Sequence, residues 1–377
     1  MIMQARRGLV TRYNAGQAKI APPHATTGLA LSTTLTEERM DRSKRTLLVT
    51  GIAALLALTG ATATFAQQWK PTKPITIIVP WAAGGSTDQV TRVTASEIEK
   101  ALGQKVVIVN QPGASGSIGT KNALEAAKDG YTWTAGAAQD LGTYAVLGML
   151  DTKIGDWALF LNVANVSTLS VNPNTPYKTP TELIDAMKAK PGAISVATAG
   201  VNSSGHSAME AIAKATGVKY KHVTYDGGNP AVVATVAGET DATTQLTVEQ
   251  AEMIRGKKLR ALAVIGDKPV EIDGYGVIEP LTKSVPGFKA PANYFGIFIP
   301  KSVPPEVIAT IEKIWAEQIV NSAALKQYAT ARGAQFSPYA GADAQKAVFP
   351  AVQANAWAAA DTGKAKVAPD ALGIPRP

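Results

Sequence analysis

Ile75-Thr76-Ile77-Ile78-Val79-Pro80-Trp81-Ala82-Ala83-Gly84-Gly85-Ser86-Thr87-Asp88 decides the fold. Five β-branched residues in succession read as a strand, and a glycine pair then breaks the run. Val90, Val93, Ile98 and Ala101 recur at helical spacing until Gly103 stops the helix. Outward from this unit, Val106–Val109 is a second strand, Asn110–Ser117 a loop and Ile118–Ala127 a helix. Asp129-Gly130 turns the chain into a third strand near Tyr131–Thr134. The pattern restarts at Thr179-Pro180-Thr181-Glu182, a capping box ahead of a helix through Ala189. A strand at Ile194–Ala197, a small polar loop Thr198–Ser204 and a helix His206–Thr216 follow. His222–Thr224 is a further strand, Tyr225–Asn229 a loop, and Pro230 opens a helix that ends near Gly238. Arg260–Ile265 is one more strand, and Val307, Ile308, Ile311, Ile314 and Trp315 mark a late amphipathic helix. The expectation is an α/β protein with mostly parallel sheets in two units, ligands sitting at the carboxyl ends of strands in the cleft between them.

At 377 residues the chain is long enough for two domains, and 46% hydrophobic with 18% charged residues excludes a collagen, a coiled coil or a wholly disordered chain. With no cysteine, thiol nucleophiles, disulfides and thiolate metal sites are excluded, and three histidines (His24, His206, His222) supply no multi-histidine centre. The net charge of +8 is concentrated at the start: residues 1–66 carry eight of the 37 Lys and Arg and three of the 29 Asp and Glu, so the remainder is near +3. That argues against a nucleic-acid face.

Met40 opens a secretory signal pattern: a basic Asp41-Arg42-Ser43-Lys44-Arg45, an apolar stretch to about Gly60, and Thr64-Phe65-Ala66 with small residues at the cleavage positions. Cleavage after Ala66 is expected, giving an exported chain from 67 onward, with 1–39 a leader or an upstream start.

Gly84-Gly85-Ser86-Thr87-Asp88, Asn110–Ser117 and Thr198–Ser204 are glycine- and hydroxyl-rich loops ahead of helices, where free N–H groups hold anions. None places the lysine of a phosphate-binding P-loop, and Gly113-x-x-Gly116-x-x-Gly119 departs from the dinucleotide fingerprint. An enzyme alternative is a serine hydrolase using Ser115 and His206 with Asp226 or Asp241 as orienter, although Gly113-Ala114-Ser115-Gly116-Ser117 lacks the closing glycine of a nucleophile elbow. A third alternative is a ligand sensor for a membrane signalling partner.

Pro80–Asp88 with Arg92, Asn110-Gln111-Pro112-Gly113-Ala114, Asp129-Gly130-Tyr131-Thr132, Val171-Asn172-Pro173, Ser203-Ser204-Gly205-His206, Tyr225-Asp226-Gly227-Gly228 and Gly238-Glu239-Thr240-Asp241 form an ordered set. From about Trp69 to the end, that set resembles the tripartite tricarboxylate transporter solute-receptor (Bug) family. The resemblance implies a monomeric periplasmic receptor of the type II, Venus-flytrap kind. Residues 67–168 with 288–377 would form one domain and 169–287 the other. A di-, tri- or aromatic carboxylate would be captured by closure and passed to membrane permease subunits, without cofactor, metal or catalysis. Carried over, Ala83, Gly84, Gly85, Ser86, Thr87 and Asp88 form one wall and Val201, Asn202, Ser203, Ser204 and His206 the other. Ala138 and Gln139 meet the ligand's outer end, and Asp226 and Asp241 complete the site. An acid cannot attract a carboxylate, so Asp88 and Asp241 would cap a helix or orient a water. Trp81, where many relatives carry Phe, either narrows the cleft and stacks on an aromatic ligand or belongs to the core.

Overall fold

The computed structural model describes residues 68–289 and 292–377; the expected leader, export signal and cleavage after Ala66 fall outside them. In chain order the elements are β1 (Ile75–Val79), α1 (Ser86–Leu102), β2 (Val106–Asn110), α2 (Ser117–Glu125), β3 (Thr132–Ala137), α3 (Ala138–Thr143), β4 (Trp157–Asn165) and β5 (Ser167–Val171). Then come α4 (Pro180–Ala189), β6 (Ser195–Thr198), α5 (Ser204–Thr216), β7 (Lys221–Thr224), α6 (Gly228–Ala237), β8 (Ala242–Thr243), α7 (Thr247–Arg255) and β9 (Arg260–Ile265). The hairpin β10 (Val270–Ile272) and β11 (Gly276–Ile278) precedes β12 (Asn293–Pro300), α8 (Pro305–Glu317), α9 (Ala323–Arg332), β13 (Gln335–Phe336) and α10 (Gly341–Asp361).

Two larger sheets form, one per lobe, beside the two-stranded β10-β11 sheet. The first has the order β13-β4-β12-β3-β1-β2 and the second β7-β6-β8-β5-β9. β1 lies parallel to β2 and β3, and β6 parallel to β7 and β8, as the strand–loop–helix repeats require. The sheets are not mostly parallel, however. β12 runs antiparallel to both β3 and β4, and β5 runs antiparallel to β8 and β9. These strands belong to the stretches where the chain passes from one sheet to the other, between β4 and β5 and again between β9 and β12.

Local chemistry sets the helix ends. Thr179 Oγ1 accepts from the Glu182 N–H at 3.2 Å, and Glu182 accepts in turn from the Lys178 N–H, so the box closes one residue before the cap. Gly103 and Gly217 end α1 and α5 in the left-handed conformation that glycine adopts freely. Ile75, Ile77 and Val79 pack with Trp133, Ile297 and Trp315 in the first lobe, while Leu169, Val171, Val196, Met209 and Ile212 form the core of the second. The carboxyl ends of β1, β3 and β6 thereby deliver the starts of α1, α3 and α5 to the interface between the lobes.

Candidate functional site

The loop Pro80–Gly85 is held from beneath by Asp88. Its carboxylate accepts from Gly84 N–H (3.0 Å), from Arg92 Nε and Nη2 (3.0 and 2.8 Å) and from Asn110 Nδ2 (3.0 Å), which also donates to Trp81 O (3.0 Å). Burial alone would raise the Asp88 pKa, but the hydrogen bonds from Arg92, Gly84 and Asn110 together outweigh it and hold the carboxyl below its usual range. Asp88 is therefore a buried scaffold for the loop. The Trp81 indole packs over Gly116, where a Cβ would lie 3.1 Å from the ring and 2.7 Å from Tyr144 Oη.

Facing it across the interface, Ser203 caps α5 by accepting from the His206 N–H at 3.3 Å. The caps and turns of this start leave the N–H groups of Ser204 and Gly205 without an acceptor among the described residues. Asn202 takes the left-handed conformation (φ 68°) and donates to Thr143 Oγ1 of α3 at 2.8 Å, a bond between the lobes. His206 Nδ1 accepts from the Asn202 N–H at 3.2 Å, so the ring proton sits on Nε2, 3.7 Å from Glu210 Oε1. The ring stacks on His222 with centroids 4.4 Å apart. Burial, helped by His222 and Lys364, pushes the His206 pKa down to about 3, so the imidazole is neutral at pH 7 and positions a loop.

That geometry also bears on the hydrolase alternative. The acceptor nitrogen of His206 is engaged with Asn202, and Ser115 Oγ lies against Gly200 with no hydrogen bond to His206 among the described residues. Ser115 has no base.

Two spaces lie near these residues. A wide cleft of about 980 Å³ runs beside the crossover segments, α5 and the end of α10, bordered by Gln139, Val201, Asn202, Ser204 and His206. A small cavity of about 30 Å³ is lined by Trp81, Gly85, Ser86, Thr87, Ser203 and Ser204, together with Asp140, Gly228, Gln245, Glu249 and Phe295. The small cavity as it stands has room for about two waters, so a ligand can occupy it only if the lobes part further. The small cavity is where the starts of α1 and α5 converge, and Ser204 borders both spaces. Ala83 and Gly84 lie on the exposed outer side of the loop, and Ala138 is buried in core. Asp226 is exposed and lines neither space. Asp241 sits at the opposite end of β6, accepting from Ser195 N–H (2.8 Å) and Oγ (2.6 Å).

Two acids at the cavity escape the glycine-loop reading. Glu249, in the first turn of α7, accepts from the Ser86 N–H at 3.0 Å, a donor 163 residues away in sequence. The Gln245 amide satisfies both its neighbours when its nitrogen faces Glu249 Oε2 at 3.1 Å. The same carboxylate lies so close to Gly228 that no Cβ fits there. Asp140 of α3 is 4% exposed, and its Oδ1 has no hydrogen-bond partner among the described residues. Burial raises the pKa of both acids, Asp140 well above the usual carboxyl range. A charged residue inside the small and apolar run Ala137–Leu147 was the one available signal for Asp140. For Glu249 no local pattern exists.

Residues 90–360 match the family model described as the tripartite tricarboxylate transporter family receptor (TctC). The protein BugT of Bordetella pertussis is 30% identical over 318 residues, covering 83% of this chain and 96% of BugT. Among solved structures, the periplasmic binding protein BugD superimposes with a TM-score of 0.71 at 25% identity, covering 78% of this chain and 99% of BugD. R. palustris Rpa4515, solved with adipate, gives a TM-score of 0.69 over 78% of this chain and 98% of its own at 24% identity, a likeness of fold. The family-model match spans most of the described residues, and with BugT aligned along nearly its whole length the chain belongs to the tripartite tricarboxylate transporter receptor family, whose solved members are two-lobed α/β periplasmic binding proteins.

Proposed function

We propose that this receptor captures a small organic carboxylate in the cavity between its lobes and presents it, as an exported monomer, to membrane permease subunits. Residues 67–168 with 288–377 act as one closing body and 169–287 as the other. The observation that carries the reading is the start of α5 at the cavity. Ser204, whose N–H is free, lines it together with the hydroxyl residues Ser86, Thr87 and Ser203, and no Lys or Arg lines the space. Backbone and hydroxyl donors at a helix start hold a carboxylate without a cationic clamp. R. palustris Rpa4515, a fold neighbour solved with adipate, supports the reading.

The test is thermal melting of the exported protein against mono-, di-, tri-, amino- and aromatic carboxylates. A concentration-dependent rise in melting temperature is expected for one chemical class. A flat response across the panel, in protein that melts cooperatively, rejects the carboxylate assignment.

A further inference from the structure

The starts of α1, α5 and α6 border the cavity. The first N–H of α1 is already taken by the protein's own carboxylate, Glu249, bound to Ser86 at 3.0 Å. A ligand carboxylate has the α5 start open to it at Ser204, while at α1 the free Thr87 N–H follows directly on the Ser86 that Glu249 already holds. The same space contains a second buried carboxyl, Asp140, with an unpartnered oxygen, and no Lys, Arg or His lines it. Buried ions are ordinarily paired or fully hydrogen-bonded, and Glu249 has only neutral donors while Asp140 Oδ1 has none. The remaining walls include the rings of Trp81 and Phe295. Aromatic faces attract a cation beside them and offer nothing to an anion.

We infer that the Asp140–Glu249 side of the cavity is a subsite for a cationic nitrogen, and that the ligand of this chain is an amino carboxylate, its carboxylate at the start of α5 and its ammonium between the two acids. The inference rests on the carboxylate reading above and narrows it. A dicarboxylate would bring a second negative charge against two buried carboxyls, whereas an ammonium group supplies the counter-charge that the protein lacks there. The upward push of burial on both carboxyl pKa values is in keeping with acids that have no cation beside them.

The test compares matched ligands by calorimetry on the exported protein: 5-aminopentanoate against glutarate, 6-aminohexanoate against adipate, and 4-(aminomethyl)benzoate against terephthalate. At least one amino member should bind tenfold or more tightly than its dicarboxylate partner. Asp140→Asn and Glu249→Gln, which keep shape and remove charge, should each cut that preference by tenfold or more. Dicarboxylates binding as well as or better than the amino members would overturn the inference while leaving the carboxylate reading intact. A preference unchanged in both variants would overturn it too. The wild-type comparison decides by itself if a variant fails to fold. No binding of any member by cooperatively melting protein would overturn both readings.

Discussion

At the scale of single residues, the buried acids and the neutral histidine are where function and stability part company. Asp140 is ionised at neutral pH only at a cost, because burial raises its folded-state pKa well above 3.8. An acid whose pKa is raised by folding binds its proton more tightly in the native than in the unfolded state, so its penalty appears as pH rises above the unfolded pKa. Asp140→Asn should therefore stabilise the ligand-free protein at pH 7, by on the order of 1 kcal/mol, with the gain vanishing below about pH 4. Chemical unfolding at the two pH values checks this; a destabilised variant at pH 7 would mean that the carboxylate has a partner in the free protein. His206 has the opposite linkage. Its folded pKa of about 3 lies below the usual 6.5, so the unfolded chain takes up a proton first and stability falls as pH drops below 6.5. The slope reaches at most ~1.4 kcal/mol per pH unit from this group. His222, stacked on it, is pushed the same way by burial. His206→Gln should flatten urea-unfolding stability between pH 6.5 and 5, whereas an unchanged slope would assign the loss to other groups.

At the scale of elements, the start of α5 does two jobs that substitution can separate. Ser203→Ala removes the cap and should cost about 1 kcal/mol of stability. Ser203→Asp restores a good cap and favours the helix dipole, yet sets a negative charge where the carboxylate is proposed to bind. Melting temperature should recover in the aspartate variant while binding is lost; binding retained by Ser203→Asp would move the carboxylate off this helix. The β1–α1 unit, the α4 box and the α5 stop were legible because propensity, caps and period agree there. Helix α6 begins at Gly228 rather than at Pro230, since the glycine-rich start carries no periodic signal. The long strands β4 and β12 were not legible: all nine residues of β4 are buried, so no alternation marks its faces. Glu249 escaped for a different reason. It reaches Ser86 only when α7 is folded back on α1, and a contact between residues 163 apart leaves no trace in local spacing.

For the whole molecule, the lobes meet through both apolar and polar contacts: Ala199, Leu246 and Val248 of the second lobe pack into the core of the first, and a smaller polar set lies beside them. Asn202 and Thr143 share a buried hydrogen bond, and Glu249 reaches Ser86. Farther out, Lys364 pairs with Glu210 at 3.0 Å and Lys214 with Asp361 at 3.4 Å. Both outer pairs include exposed lysines, and such pairs contribute little and weaken with salt. In the proposed receptor the ligand biases an equilibrium between open and closed forms, and the polar contacts are the part of the interface that one substitution can remove without opening a cavity. Thr143→Val replaces the hydroxyl that bridges to Asn202 with a methyl of similar size, leaving α3 and the cavity walls in place. It should shift the free protein toward open forms, seen as a larger radius of gyration in small-angle scattering. Affinity should fall by about 0.5–1.5 kcal/mol, the usual net contribution of one hydrogen bond. At saturating ligand the wild type and the variant should scatter alike, because ligand binding then drives closure in both. Equal radii before ligand addition would show that the Thr143–Asn202 bond does not hold the lobes together. Unequal radii at saturation would show that the substitution has changed the closed form itself.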